Sequence, residues 1–281
     1  MTATTPGTTN APGTANAAPH AARPSPLRRI DSTFTPGAYR PPACRVAAPA
    51  GRAIEGMVEQ ANCLWVAVGR LPAGTTLEWD EAHGEQALYL VSGELVLDGR
   101  ACGPGGALMI EAGVPARAAV SADAHVLHLG SEGLEPPATG PLGAPAREGR
   151  AARVIAREEA EQSISTSKDG TTFVLDYLAD GSGETSRIAL FTVTMDGPSF
   201  GAPHHHSEDE LIYVLSGTVR SGTVAVEAGQ FFAVPGNIRY SFRTPGPASF
   251  LNFRRDASTI TVKHITRLET LAARARENAW E

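Results

Sequence analysis

Apolar residues between positions 64 and 129 come in short runs, each closed by glycine, proline or an Asp-Gly pair. Leu64 to Val68 is followed by Pro72-Ala73-Gly74, and Ala87 to Val91 is stopped by Ser92-Gly93. Glu94 to Leu97 ends at Asp98-Gly99, and the runs Ala107 to Ile110 and Val126 to Leu129 complete the series. Runs of this length with turn residues at their ends predict strands rather than helices. The pattern resumes at positions 172–175, 188–195, 211–215, 230–234, 240–243 and 250–253. Between the two series, residues 131–150 are rich in Pro, Gly and Ala without periodicity, which predicts a linker. The spacing changes only near the end, where Leu268, Leu271, Ala272 and Ala275 recur at helical intervals. A short C-terminal helix is expected over 265–281. The first thirty residues are mostly Thr, Ala, Pro and Asn, with five prolines from Pro6 to Pro26 and no apolar h-region. They predict a disordered tail over 1–35 rather than a secretory signal.

Sliding the chain along itself gives one match, at an offset of 124 residues. Leu88 to Gly93 falls on Ile212 to Gly217, and Gly105 falls on Gly229. Two separate segments agreeing on one shift imply two copies of a β-domain. The expected organisation is an N-terminal β-domain over 36–130, a linker over 131–155 and a second β-domain over 156–264. Under the gapless shift His204 faces Asp80, His206 faces Ala82, Glu210 faces Gln86 and Tyr240 faces Ala116. The framework repeats and the polar cluster does not.

Composition narrows the function. The 281 residues are 42% apolar and carry a net charge of −6 without a basic stripe, which excludes a nucleic-acid partner as an expectation. No run of about 18 apolar residues could cross a bilayer. Three cysteines without CxxC spacing form no zinc ribbon or disulfide framework, and a reducing, cytoplasmic setting fits them.

The densest group of potential ligands is His204-His205-His206-Ser207-Glu208-Asp209-Glu210. His204 and His206, two apart, project to one face of an extended strand. Glu210 begins the next strand and can return beside them. Two imidazoles and a carboxylate with open positions suit a divalent first-row metal, as in the facial triad of iron(II) oxygenases. A His-rich loop alone also fits a solvated turn. His205 points the other way, and Glu208 and Asp209 are expected to be solvated or to support a ligand.

His204-x-His206, three residues, Glu210, six residues and Gly217 resemble the first cupin motif. Gly229, five residues and Pro235 resemble the start of the second. The run from Pro203 to Gly217 is similar to quercetinase-like cupins, and the resemblance covers about residues 60–130 and 185–255. It implies a bicupin, all-β, of two double-stranded β-barrel (jelly-roll) domains. It also implies metal ligation by His204, His206 and Glu210, with Fe2+ favoured and Mn2+, Ni2+, Co2+ or Zn2+ also accepted. Metal cupins place a fourth ligand, a histidine, where this chain has Tyr240. That tyrosine fits a weak ligand, a hydrogen-bond donor to a bound oxygen, or a wall residue. The first barrel, with Asp80, Ala82, Gln86 and Ala116, is expected to be metal-free, serving packing, homodimerisation or pocket closure.

The function so implied is a metal-dependent dioxygenase acting on a small oxygenated molecule, with Glu210 and Tyr240 as catalytic candidates. A cupin isomerase or lyase and a non-catalytic small-molecule or metal sensor are the alternatives.

Overall fold

The computed structural model describes residues 27–131, 149–167, 170–183, 185–256 and 260–262. The expected C-terminal helix lies outside the described residues, as do most of the expected tail and linker. The described chain is nearly all strand, with one 3-10 turn at Arg157–Glu159.

In the first barrel, Leu64–Leu71 lies between Glu55–Ala61 and the long strand Ala116–Ser131. Ala116–Ser131 pairs with Thr76–Trp79 at its start and Leu64–Leu71 at its end, so it bends from one wall to the other. Gln86–Leu97 follows it along nearly its whole length, with bulges that allow the bend. The second barrel repeats the plan with the long strands broken. Glu210–Ser216 and Ala248–Arg254 sit in one sheet, while Thr218–Ser221 and Tyr240–Thr244 sit in the other. The 124-residue repeat is therefore structural. Gln86 pairs with Ile110 as Glu210 pairs with Val234, and Gly130 pairs with Trp65 as Arg254 pairs with Ala189. Gly93 and Gly217 hold the same place with φ of 90° and 74°, the left-handed region that glycine enters freely.

Strand alternation explains where the apolar residues go. Trp65, Leu88, Leu90 and Val126 fill the inside of the first barrel, and Phe191, Ile212, Val214 and Phe250 that of the second. The intervening residues point outward and meet between the barrels: Leu64, Val66, Tyr89 and Leu127 from one side, Leu190, Tyr213, Phe231 and Phe253 from the other. A sheet buried on both faces needs unbroken apolar runs, which is why the pattern shows runs rather than alternation. Phe231 and Phe253 belong to this interface, while Phe232, Phe242 and Phe250 lie inside the second barrel.

Each barrel also takes a strand from the segment preceding the other. Arg28–Asp31 pairs with Gln230–Val234 of the second barrel, and Ala152–Ile155 pairs with Ala107–Ile110 of the first. Ile30 is buried in the interface cluster. The tail drawn to residue 35 is thus corrected from residue 28 onward, since the segment is ordered by the open edge it completes. The same pairing makes Ala152–Ile155, expected as linker, a strand of the first barrel's sheet. Among the described residues no helix is long and apolar enough to cross a membrane.

Candidate metal and substrate site in the second barrel

His204 and His206 lie on strand Ser199–His206, held between Tyr240–Thr244 and Ile260–Val262. Gly201 pairs with Phe242, yet His204 pairs with Tyr240, so one extra residue bulges between Gly201 and His204. The bulge shifts this strand against its first-barrel copy. There Trp79 pairs with Ala116, so Trp79, and not Asp80, holds the place of His204. Bulges beside sites re-aim side chains in this way.

His204, His206 and Glu210 are 5%, 7% and 1% exposed, and the imidazoles stand edge to face with centroids 5.0 Å apart. His204 Nδ1 lies 2.5 Å from the Ala202 carbonyl, which fixes the proton there and leaves Nε2 as the lone-pair nitrogen. His206 Nε2 lies 3.1 Å from Arg254 Nη2; a guanidinium only donates, so this nitrogen also keeps its lone pair. Burial lowers both imidazole pKa values, His206 to about 4, so both are neutral at pH 7.

Glu210 is enclosed by donors. Arg254 donates to Oε1 from Nε at 3.1 Å and from Nη2 at 2.6 Å, and Asn252 Nδ2 donates to the same oxygen. The Tyr240 hydroxyl donates to Oε2. Burial pushes the carboxyl up, but Arg254, His206, Tyr240 and Asn252 outweigh it and bring it to about 2. Tyr240 titrates well above its usual value because it is buried and faces this carboxylate. Of the roles open to Tyr240, the one seen is a hydrogen bond to Glu210, with its ring 4.5 Å from that of His204.

These groups form one end of a cavity of about 190 Å³. Phe191, Ile212, Phe242 and Phe250 make its apolar wall, with Tyr177 and Asp180 also on its lining. The Asn252 carbonyl Oδ1 is buried without a hydrogen-bond partner, an acceptor left for a bound hydroxyl or N–H. Glu208 instead pairs with Arg255 at 2.9 Å. Asp209 accepts from the Cys63 backbone N–H and thiol and from Gly236 N–H, tying the turn to the first barrel. Cys44, Cys63 and Cys102 are free thiols.

Sequence reasoning missed Asn252 and Arg254. The signal was strand alternation: both are in phase with inward Phe250 on Ala248–Arg254.

The donors suit a divalent metal in chemistry, being two neutral imidazole nitrogens and an ionised carboxylate on one face. As they stand they do not close a cage. His206 Nε2 and Glu210 Oε1 are 4.0 Å apart with Arg254 bonded to both, and no group among the described residues is arranged to hold a metal.

In the first barrel the corresponding place is filled. Trp79 Nε1 and His128 Nε2 donate to Gln86 Oε1 at 2.8 and 2.7 Å, and Gln86 Nε2 donates to the Pro42 carbonyl. Tyr39 donates to His128 Nδ1 at 3.2 Å. His83 lies outside this network against the Gly84 and Val114 carbonyls, and Glu85 accepts the Arg187 backbone N–H.

Residues 190–254, which carry His204, His206, Glu210, Tyr240, Asn252 and Arg254, match the family model described as a cupin domain. No curated protein sequence matches the chain. Among solved structures, a Pseudomonas aeruginosa protein provisionally named as glyoxylate-induced superposes with a TM-score of 0.57 at 17% identity, over 90% of this chain and 94% of that one. A Nostoc punctiforme protein provisionally named as a dioxygenase gives 0.57 at 12% identity, over 86% and 88%. Bacillus subtilis oxalate decarboxylase, a protein with Mn(II) centres, gives 0.53 at 15% identity, over 82% of each chain. At these identities the likeness is one of fold.

Proposed function

We propose, from the cupin-domain match over residues 190–254 and the fold shared with the superposed structures, that the second barrel is a metal-dependent enzyme site for a small oxygenated organic molecule, with dioxygenase chemistry of the quercetinase-like kind as the leading reaction. The observation that carries this reading is the convergence of His204, His206 and Glu210, in the protonation states ligation needs, on a cavity that also has an apolar wall. A divalent first-row metal held by His204 Nε2, His206 Nε2 and Glu210 would supply a Lewis acid with open positions and, as iron, reactivity toward dioxygen.

The chain's own residues account for the rest. Phe191, Phe242 and Phe250 shape a slot for a flat apolar body and exclude water. Asn252 Oδ1 offers an acceptor to a substrate hydroxyl, and Arg254 sets a positive charge beside it, so a phenolate or enolate suits the slot better than a cation. A carboxylate held near pKa 2 is a weak proton acceptor, so Glu210 acts here as a ligand rather than a general base. Tyr240 orients it.

Metal content of natively purified protein, with oxygen uptake on catechols, flavonols and enediols, tests the reading. Near-stoichiometric metal and substrate-dependent uptake, both lost in His206→Ala, are expected. The saturation of Glu210 by Arg254, Asn252 and Tyr240 favours one second reading, a binding module without turnover. Absence of metal and uptake, with retained affinity for phenolates, would select it.

A further inference from the structure

We infer that Arg254 is the resident cation of the second barrel, and that its guanidinium and a divalent metal compete for the same two donors, Glu210 Oε1 and His206 Nε2. This rests on the reading of His204, His206 and Glu210 as ligands. Nη2 is 2.6 Å from Glu210 Oε1 and 3.1 Å from His206 Nε2, while those two atoms are only 4.0 Å apart. A guanidinium only donates hydrogen bonds and cannot accept one in return. Two cations on one carboxylate oxygen repel each other, and the His206 lone pair serves only one of them. Metal and arginine therefore exclude each other at these atoms.

The fold gives the guanidinium somewhere to go. Arg254 pairs across the sheet with Ala189, and Ala189 pairs in turn with Asp180. Residues directly opposite in antiparallel strands share a face. Asp180, exposed at the far end of this row with its carboxylate bonded to Ser182, also lines the cavity. Displaced from Glu210, the guanidinium would find this second carboxylate along the row.

The test uses Mn2+ as the probe, titrated by calorimetry into the full-length wild type, Arg254→Met and Glu210→Gln at one pH, with thermal melting to show that each variant is folded. Arg254→Met should bind Mn2+ about tenfold or more tightly than the wild type, within the range usual for coupled sites. Glu210→Gln should bind none. Should Arg254→Met fail to fold, the unmodified protein supplies the measurement. Arg254 should become more reactive to phenylglyoxal, read by mass spectrometry, as Mn2+ saturates the site. Equal or weaker Mn2+ affinity in folded Arg254→Met, or unchanged Arg254 reactivity at saturation, overturns the competition. If Glu210→Gln still abolishes binding in that case, the ligand assignment survives. Binding that Glu210→Gln leaves intact, or no binding to either the wild type or Arg254→Met, overturns both.

Discussion

The two barrels solve one packing problem in opposite ways. In the first, Trp65 lies opposite Gly130, where an added Cβ would sit 2.3 Å from an indole carbon. In the second, the same pair is Ala189 opposite Arg254. One strand gives the volume and its neighbour yields in the first barrel, and the roles are reversed in the second. The polar centres invert as well. Gln86 is neutral, and its carbonyl is satisfied by the indole N–H of Trp79 and by His128 Nε2–H. Glu210 is charged and compensated by a guanidinium. His128 carries its proton on Nε2 toward the centre, whereas His204 carries it on Nδ1 and turns a lone pair inward. A cavity with inward lone pairs can take a ligand, and a filled, donor-satisfied core cannot. The scaffold is common to both, and a handful of inward positions decides which barrel stays open.

Breaking the charge balance should have the largest effect. Arg254→Met leaves Glu210 buried without its cation and should cost about 3–5 kcal/mol in urea unfolding, as is usual when one member of a buried pair is removed. Saturating Mn2+ should recover part of that loss. Opening the closed barrel comes next: Trp65→Ala should cost about 3 kcal/mol through the void left over His128, whose ring lies 5.1 Å from the indole. A smaller loss would mean that the first barrel collapses more readily than its packing suggests. Deleting residues 1–31 should cost about 2 kcal/mol, because Ile30 leaves the interface and the edge at Gln230–Val234 loses its partner. Unchanged melting would show that the borrowed strand is dispensable. The smallest effect concerns pH. Burial holds His128 neutral with a pKa of about 3, below its unfolded value near 6.5. Between those values the unfolded chain gains a proton that the folded chain refuses, so stability falls as the pH drops below about 6.5. The slope should be about 1 kcal/mol per pH unit near pH 5.5. His128→Leu should remove that share of the slope, whatever it does to stability at neutral pH.

Much of this was legible in the chain because strands, turns and the repeat are local or collinear signals. Ser92-Gly93 and Ser216-Gly217 mark the same turn, and the shift of 124 residues relates the paired strands on either side of it. The His204, His206 and Glu210 cluster was legible for the same reason, since all three lie within seven positions. The rest depends on partners distant in sequence. Arg254 stands beside Arg255 in the chain, and nothing nearby in sequence shows that it faces Glu210. The bulge before His204 is one residue in length, and a gapless comparison places Asp80 where the fold places Trp79. Arg28–Asp31 has a single buried apolar side chain, Ile30, and becomes a strand through the edge it meets.

That borrowed strand bears on how the chain reaches its native state. Arg28 pairs with Ala233, about two hundred positions later, and the return loan, Ala152–Ile155 on Ala107–Ile110, crosses the connector between the barrels. During synthesis the first barrel cannot close its edge until the connector has emerged. Arg28–Asp31, made earlier, stays unpaired until Gln230–Val234 has emerged. Contacts this far apart in sequence slow folding and leave sheet edges exposed in the meantime. The two halves, though copies of one unit, are therefore joint rather than separable. Expressed apart, each would present an unpaired edge complementary to a strand on the other, and mixing the two fragments should rebuild the pair more readily than either folds alone.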